Sequence, residues 1–153
     1  MKTLLPVPEF LALAKITYTE DHIILHARTT RNCVSCPDCQ QPTNRVHSRY
    51  TRKAGDLPWE GLCVRWQLET RKFFCLNPDC ACRIFCERLP ECLEKYAHRT
   101  AGLNQMLASL AFALGGEAGA KLAVQLGHQV SPATLIERMR RVPLVFSQGS
   151  RGG

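Results

Sequence analysis

No stretch of the 153-residue sequence approaches the roughly 20 apolar residues of a membrane span. The opening MKTLLPVPEFLALAK places Lys2 before an apolar run. Pro6, Pro8 and Glu9 interrupt that run and leave no clean core for export. Acidic residues are short against bases: 13 Asp and Glu face 20 Lys and Arg, giving a formal charge of +7 and a pI near 9.1. That excess favours an anionic partner, nucleic acid first and an anionic membrane surface second. Internal repeats are absent, and so is low-complexity sequence outside the final SQGSRGG. Cysteine is missing from the last part of the chain, after Cys92.

What the second part lacks, the first part concentrates. All nine cysteines lie before residue 93, mostly in C-x-C, C-x-x-C or C-x4-C steps. With no export signal the setting reads as a reducing cytoplasm, where clustered cysteines bind metal more often than they form bridges. Cys33, Cys36 and Cys39 offer two overlapping C-x-x-C pairs, and Cys75 and Cys80 flank Leu-Asn-Pro-Asp. Two such knuckles at turns, joined by strand-like sequence, have the layout of a zinc ribbon, because Zn²⁺ takes four thiolates in a tetrahedron. The best assignment is Cys36, Cys39, Cys75 and Cys80, since Pro37 shapes the first turn. Cys33 and Cys82 remain open as substitutes. A closed four-thiolate site leaves no position for water, so it stabilises rather than catalyses. A rubredoxin-type iron site suits a basic chain with an added helical part poorly. Cys63, Cys86 and Cys92 read as small semi-buried residues, and His47, His98 and His128 as structural.

Strand periodicity marks KITYTE and HIILHART with a turn at Glu20-Asp21, then RVHSRYTRK (45–53), LCVRWQLETRKFFC (62–75) and RIFCERL (83–89). GDLPWEG (55–61) reads as a loop from its glycine and proline content. From Thr100, a plausible N-cap, the period changes to helical. Gly115-Gly116 divides a first helix from a second over about Glu117–Leu126, and Ser131-Pro132 opens a third that stops at Pro143. AGAKLAVQLGHQVSPATLIERMRR resembles a helix-turn-helix: Ala123 at the helix contact, Gly127 in the turn, Val130 and Leu135 in the core. Thr134, Arg138, Arg140 and Arg141 fall on or near its DNA side. Arg45, Arg49, Arg52, Lys53, Arg65, Arg71 and Lys72 of the strands would extend a phosphate-binding surface.

The order of motifs carries a resemblance. CPDCQQPTNRVHSRYTRKAGDLPWEG, then RKFFCLNPDCACRIFCERLP, then the helical segment, resemble the N-terminal part of the ISL-three family of insertion-sequence transposases, over roughly residues 15–142. The resemblance implies Cys36, Cys39, Cys75 and Cys80 as zinc ligands and residues 100–142 as helices that recognise the element's terminal inverted repeats in double-stranded DNA. Those transposases continue into a ribonuclease-H-like catalytic domain with an acidic triad that holds divalent metal. The sequence leaves no length for one, and Asp38, Asp56 and Asp79 read as turn residues.

The expectation is therefore an α+β chain: a small β-rich zinc ribbon followed by a three-helix helix-turn-helix segment. Its expected divisions are strands over 1–30, the ribbon over 31–99, helix-turn-helix over 100–142 and a disordered tail over 143–153. It reads as a truncated transposase without strand-transfer activity, located in the bacterial cytoplasm at the nucleoid, with DNA and intact transposase as partners and no membrane. A free-standing zinc-dependent transcription regulator is the alternative, and a zinc-stabilised interaction module stands behind it.

Overall fold

Val64, Trp66 and Leu68 are buried, while Arg65 and Glu69 between and beyond them are exposed. That period of two builds the central strand. The computed structural model describes residues 7–89 and 92–142. In chain order the elements are β1 (Leu11–Tyr18), β2 (His22–Thr29), β3 (Val34–Ser35), β4 (Pro42–Thr43), β5 (Val46–Trp59), β6 (Leu62–Phe74), β7 (Ile84–Cys86), α1 (Ala101–Gln125) and α2 (Pro132–Arg141). The main sheet runs β1-β2-β6-β5, with β7 also on β6, and β3-β4 form a separate pair. β2 lies parallel to β6, His22 beside Cys63 through Arg28 beside Glu69, and the other pairings are antiparallel.

One face of this sheet is apolar. Leu11, Ile23, Leu25, Ala27, Ala54, Val64, Trp66 and Leu68 cluster under Leu89 and Leu93, with Phe10, Cys92 and Ala97 against them. The other face stays polar. The register sets Lys15, His26 and Gln67 in one row and Arg28 beside Glu69 in another, with Lys53 and Thr51 across on β5.

The segment 55–61 is not a loop. β5 continues to Trp59, and only Glu60-Gly61 turn, both at positive φ (48° and 79°). That two-residue turn matches the twist of a β-hairpin. Pro58 is tolerated because the register already shifts between Asp56 and Trp59 and β5 lies at the sheet's edge. Asp56, expected in a turn, is therefore a strand residue. It accepts hydrogen bonds from Trp66 Nε1 and Thr100 Oγ1, both at 2.6 Å.

The expected fold class is also corrected. The chain is β-rich with a mixed sheet, and it carries two helices among the described residues, not a three-helix helix-turn-helix segment. Gly115 takes φ 76°, ψ −174° and kinks α1 instead of ending it. The next residue resumes the helix, because Gly116 lies against α2: a Cβ there would stand 3.1 Å from Ile136 Cγ1 and 3.2 Å from the Pro132 carbonyl oxygen. The caps at Thr100 and Ser131 form, each hydroxyl accepting from the amide three residues on. Leu103, Leu107, Ala111, Ala120, Ala123 and Leu135 close a second core between the helices, with Val130 packed against it. By length and composition α1, 25 residues long with a mean hydropathy of 1.3 over its most apolar 18, is apolar enough to cross a membrane. In the protein its buried side faces α2.

The helices meet the sheet at the turn end of the β5–β6 hairpin. Gly55 N–H donates to the His98 carbonyl, and Thr100 N–H donates to the Gly55 carbonyl, covering the free edge of β5. Gly127 has φ 96°, and a Cβ there would stand 2.3 Å from the Gly61 carbonyl oxygen. Gly127→Ala therefore both strains the backbone and separates helices from sheet. A loss of about 1–3 kcal/mol is expected, read as a fall in the urea midpoint of the purified protein. The expected tail over 143–153, the helix stop at Pro143 and residues 1–6 lie outside the described residues.

Candidate metal centre and cationic surface

Cys36 and Cys39 sit on the turn between β3 and β4, where the Gln40 N–H donates to the Cys36 carbonyl and the Cys36 N–H to the Gln41 carbonyl. Gln40 takes φ 61° there. Cys75 and Cys80 sit on the turn between β6 and β7. Asn77 shapes it: its side-chain oxygen accepts from Asp79 N–H and its carbonyl from Cys80 N–H. The β6–β7 pairing, Phe73 with Phe85 and Phe74 with Ile84, brings the second turn to the first. Cys36, Phe73, Cys80 and Phe85 form a buried cluster around the sulfurs.

The four sulfurs of Cys36, Cys39, Cys75 and Cys80 all lie within 4.8 Å of one another. Cys36 Sγ is 4.0 Å from Cys80 Sγ, and Cys39 Sγ is 3.6 Å from Cys75 Sγ. A Zn–S bond of about 2.3 Å gives a tetrahedral S–S edge of about 3.8 Å, so the separations fit. The four cysteines are positioned to bind one metal ion, and an all-thiolate tetrahedron suits Zn²⁺. Cys33 is exposed, and Cys82 donates its thiol to the Ile84 carbonyl at 3.6 Å; neither belongs to the cluster.

Backbone amides prepare the site. The Cys39 amide favours the Cys36 thiolate and outweighs burial, holding that thiol down at about 7. At Cys75 the Asn77 amide pulls the same way, but burial and the neighbouring thiols together win and push it up to about 12. Cys80 is raised too, against the help of the Cys82 amide. Four crowded thiolates repel one another, and only a cation at their centre makes full ionisation favourable.

The basic residues divide by what already holds them. Arg71 is nearly buried and bound: its guanidinium donates to both oxygens of Glu87, at 3.2 and 3.0 Å, and to the Arg31 carbonyl at 2.6 Å. It does not belong to a phosphate-binding face. Arg52 donates to the carbonyls of Glu94 and Ala97. The Thr134 hydroxyl is within 2.9 Å of Ser131 Oγ at the cap of α2. Arg49 pairs with Glu69 at 3.4 Å and Arg141 with Glu137, both in solvent, where such pairs are weak. Arg45 lies over the Phe74 ring and is exposed, and Lys53 and Arg140 are exposed without an ion-pair partner among the described residues. Arg138 is half-buried, and its Nε is buried with no hydrogen-bond partner.

Three features of the site region are not signalled by residue spacing: the Asp56 junction, the buried Arg71–Glu87 pair and the placement of Arg99 beside the helices. Each depends on which strands become neighbours. The one local hint is Glu87, an acid two residues after Phe85 and two before Leu89, on a face that alternation makes apolar.

Residues 34–88 match the model of a family described as the zinc-finger of transposase IS204/IS1001/IS1096/IS1165. Comparison with curated proteins and with solved structures gave no match.

Proposed function

We propose that this chain binds double-stranded DNA as the recognition part of an insertion-sequence transposase, with the terminal inverted repeats of the element as its target. One observation carries the reading: the stretch that matches the transposase zinc finger is the stretch that gathers four thiols around one point. The net charge of +7 adds to it, since phosphate contacts dominate the affinity of DNA-binding proteins.

In this reading zinc holds the ribbon in shape and takes no chemical step. Arg45, Arg49 and Lys53 of the ribbon strand contact phosphates, and Arg140 and Arg141 at the end of α2 contact phosphates or base edges. Arg138 lies on the same helix. Arg52 and Thr134 act indirectly, by holding the 94–97 segment and the start of α2 in place. A protein that works on chromosomal DNA would be found at the bacterial nucleoid.

The test is fluorescence anisotropy with the inverted repeats flanking the coding sequence against a scrambled duplex of equal length, with and without a zinc chelator. A preference of about tenfold or more for the repeats, about 1.4 kcal/mol, that the chelator abolishes is the expected result. Preference for a promoter fragment instead would favour the free-standing regulator. Equal, steeply salt-dependent binding to every duplex would overturn the proposal.

A further inference from the structure

Where the polar face of the sheet meets the helices there is a cleft of about 990 Å³. Arg65 of β6 and His22 of β2 line it from the sheet, His98 and Arg99 from the segment that covers β5, and His128 and Gln129 from the turn between α1 and α2. Its cations are unusually free. The ion pairs of the described residues involve Arg49, Arg71 and Arg141, so neither Arg65, Arg99 nor Arg138 has a carboxylate partner there. His128 Nε2 and Arg138 Nε are buried without a hydrogen-bond partner, which a folded protein rarely tolerates unless a ligand or water completes them. The groups also feel one another. Burial and then the nearby Arg138 lower the basicity of Arg99, while burial, Arg99 and Arg65 lower that of His128. Like charges held together in a partly desolvated cleft are repulsive until an anion enters. Glu20 and Asp21 also line the cleft, from the β1–β2 turn, and leave its sheet–helix wall cationic.

We infer that this cleft is a phosphate-binding site, in which Arg65 and Arg99, backed by Arg138 and His128, hold a phosphodiester of the bound duplex. The inference rests on the DNA-binding reading and deepens it. It adds residues outside α2 and outside the ribbon strand, and it makes the junction of sheet and helices part of the DNA surface. The site has an electrostatic logic: two guanidinium groups line it from distant parts of the chain, Arg65 on β6 and Arg99 in the 98–100 segment, and Arg138 of α2 is near enough to Arg99 to lower its basicity, so only the assembled fold presents them together. Arginine suits the role because its planar fork donates two hydrogen bonds to one phosphate.

The experiment uses zinc-loaded full chain and a labelled mixed-sequence duplex, with affinity measured over a salt series. Arg65→Gln and Arg99→Gln should each weaken binding and flatten the slope of log K against log salt by about 1. Arg99→Lys, which keeps the charge, should retain the slope. Lys95→Gln removes a cation that does not line the cleft, where Lys95 lies over Tyr96, and should leave the slope unchanged. Circular dichroism and zinc content identify folded variants, and if Arg99→Gln does not fold, the exposed Arg65 decides. A wild type that binds duplex while both glutamine variants keep its slope would overturn the cleft alone. So would Lys95→Gln matching their effect, since that would mean diffuse surface charge. A wild type that binds no duplex would overturn the DNA-binding reading and the cleft with it.

Discussion

Cys36→Ser, or incubation with a strong chelator, is expected to unfold the ribbon over residues 34–88. Cys36 is fully buried, and its sulfur lies 4.0 Å from that of Cys80. Apparent zinc-binding free energies at structural sites are about 10–16 kcal/mol, as large as the total stability of about 5–15 kcal/mol of an ordinary domain. The local apolar cluster is small: Phe73 and Phe85 with the cysteines themselves and Val34. It cannot hold two knuckles together against four sulfurs that repel when ionised. Zinc content should fall from one ion per chain to none, and the amides of Cys36, Cys75 and Cys80 should lose protection from hydrogen exchange. Cys63→Ser, at a half-buried position outside the cluster, should keep its zinc. Acid should act in the same direction as the chelator. In the metal-free protein Cys75 is pushed up to about 12 and Cys80 is raised, so both carry protons at neutral pH and must release them when the ion enters. Zinc affinity therefore falls as pH falls, and proton release on titration with zinc at pH 7 measures it directly.

The second large effect is expected at Glu87, whose side chain is 1% exposed and pairs with an Arg71 that is 12% exposed. Glu87 also accepts from the Thr29 hydroxyl at 2.8 Å, so one carboxylate joins the end of β2 to β6 and to the residue after β7. Glu87→Gln leaves the guanidinium buried without its counter-charge, at a cost of about 3–5 kcal/mol. Replacing both partners, Arg71→Met with Glu87→Leu, should recover most of that loss, because well-packed apolar groups often replace a buried ion pair without penalty. Equilibrium urea unfolding of the single and double variants forms the cycle that decides it. If the double variant is as unstable as the single one, the Thr29 and Arg31 contacts matter more than the charges.

Much of this was legible in the residues, and the reasons are specific. The cysteine knuckles were readable because each lies on a turn that is local in sequence, shaped by Pro37 in one case and Asn77 in the other. β6 was readable because its alternation runs unbroken from Leu62 to Leu68. The errors came where tertiary context overrides local preference. Gly55, Pro58 and Gly61 together looked like a loop, yet Gly55 is in β5 because Leu103 needs the space a side chain would fill, with a Cβ there only 3.2 Å from its Cδ2. Gly115 does interrupt the helical path, at φ 76° and ψ −174°, but Gly116 lies against α2 and α1 resumes there as one kinked element. Arg71 looked like one more surface cation, and only the pairing of β7 with β6 reveals the acid that holds it. In each case the deciding partner is far along the chain, and no window of sequence contains both.

The parallel pairing of β2 with β6 also bears on how the chain assembles during synthesis. β1 and β2 leave the ribosome before the other strands of the sheet, joined by a short turn, and as a two-stranded hairpin they are marginal alone. The edge β2 needs belongs to β6, whose partner for His22 is Cys63 and whose partner for Arg28 is Glu69. Until that stretch has been translated and has folded back against β5, the apolar side of Ile23, Leu25 and Ala27 has nothing to cover it. The nascent N-terminal hairpin thus waits, bare-edged and sticky, for the ribbon to close behind it, and a delay in ribbon closure would be felt first as aggregation of strands that contain no cysteine at all.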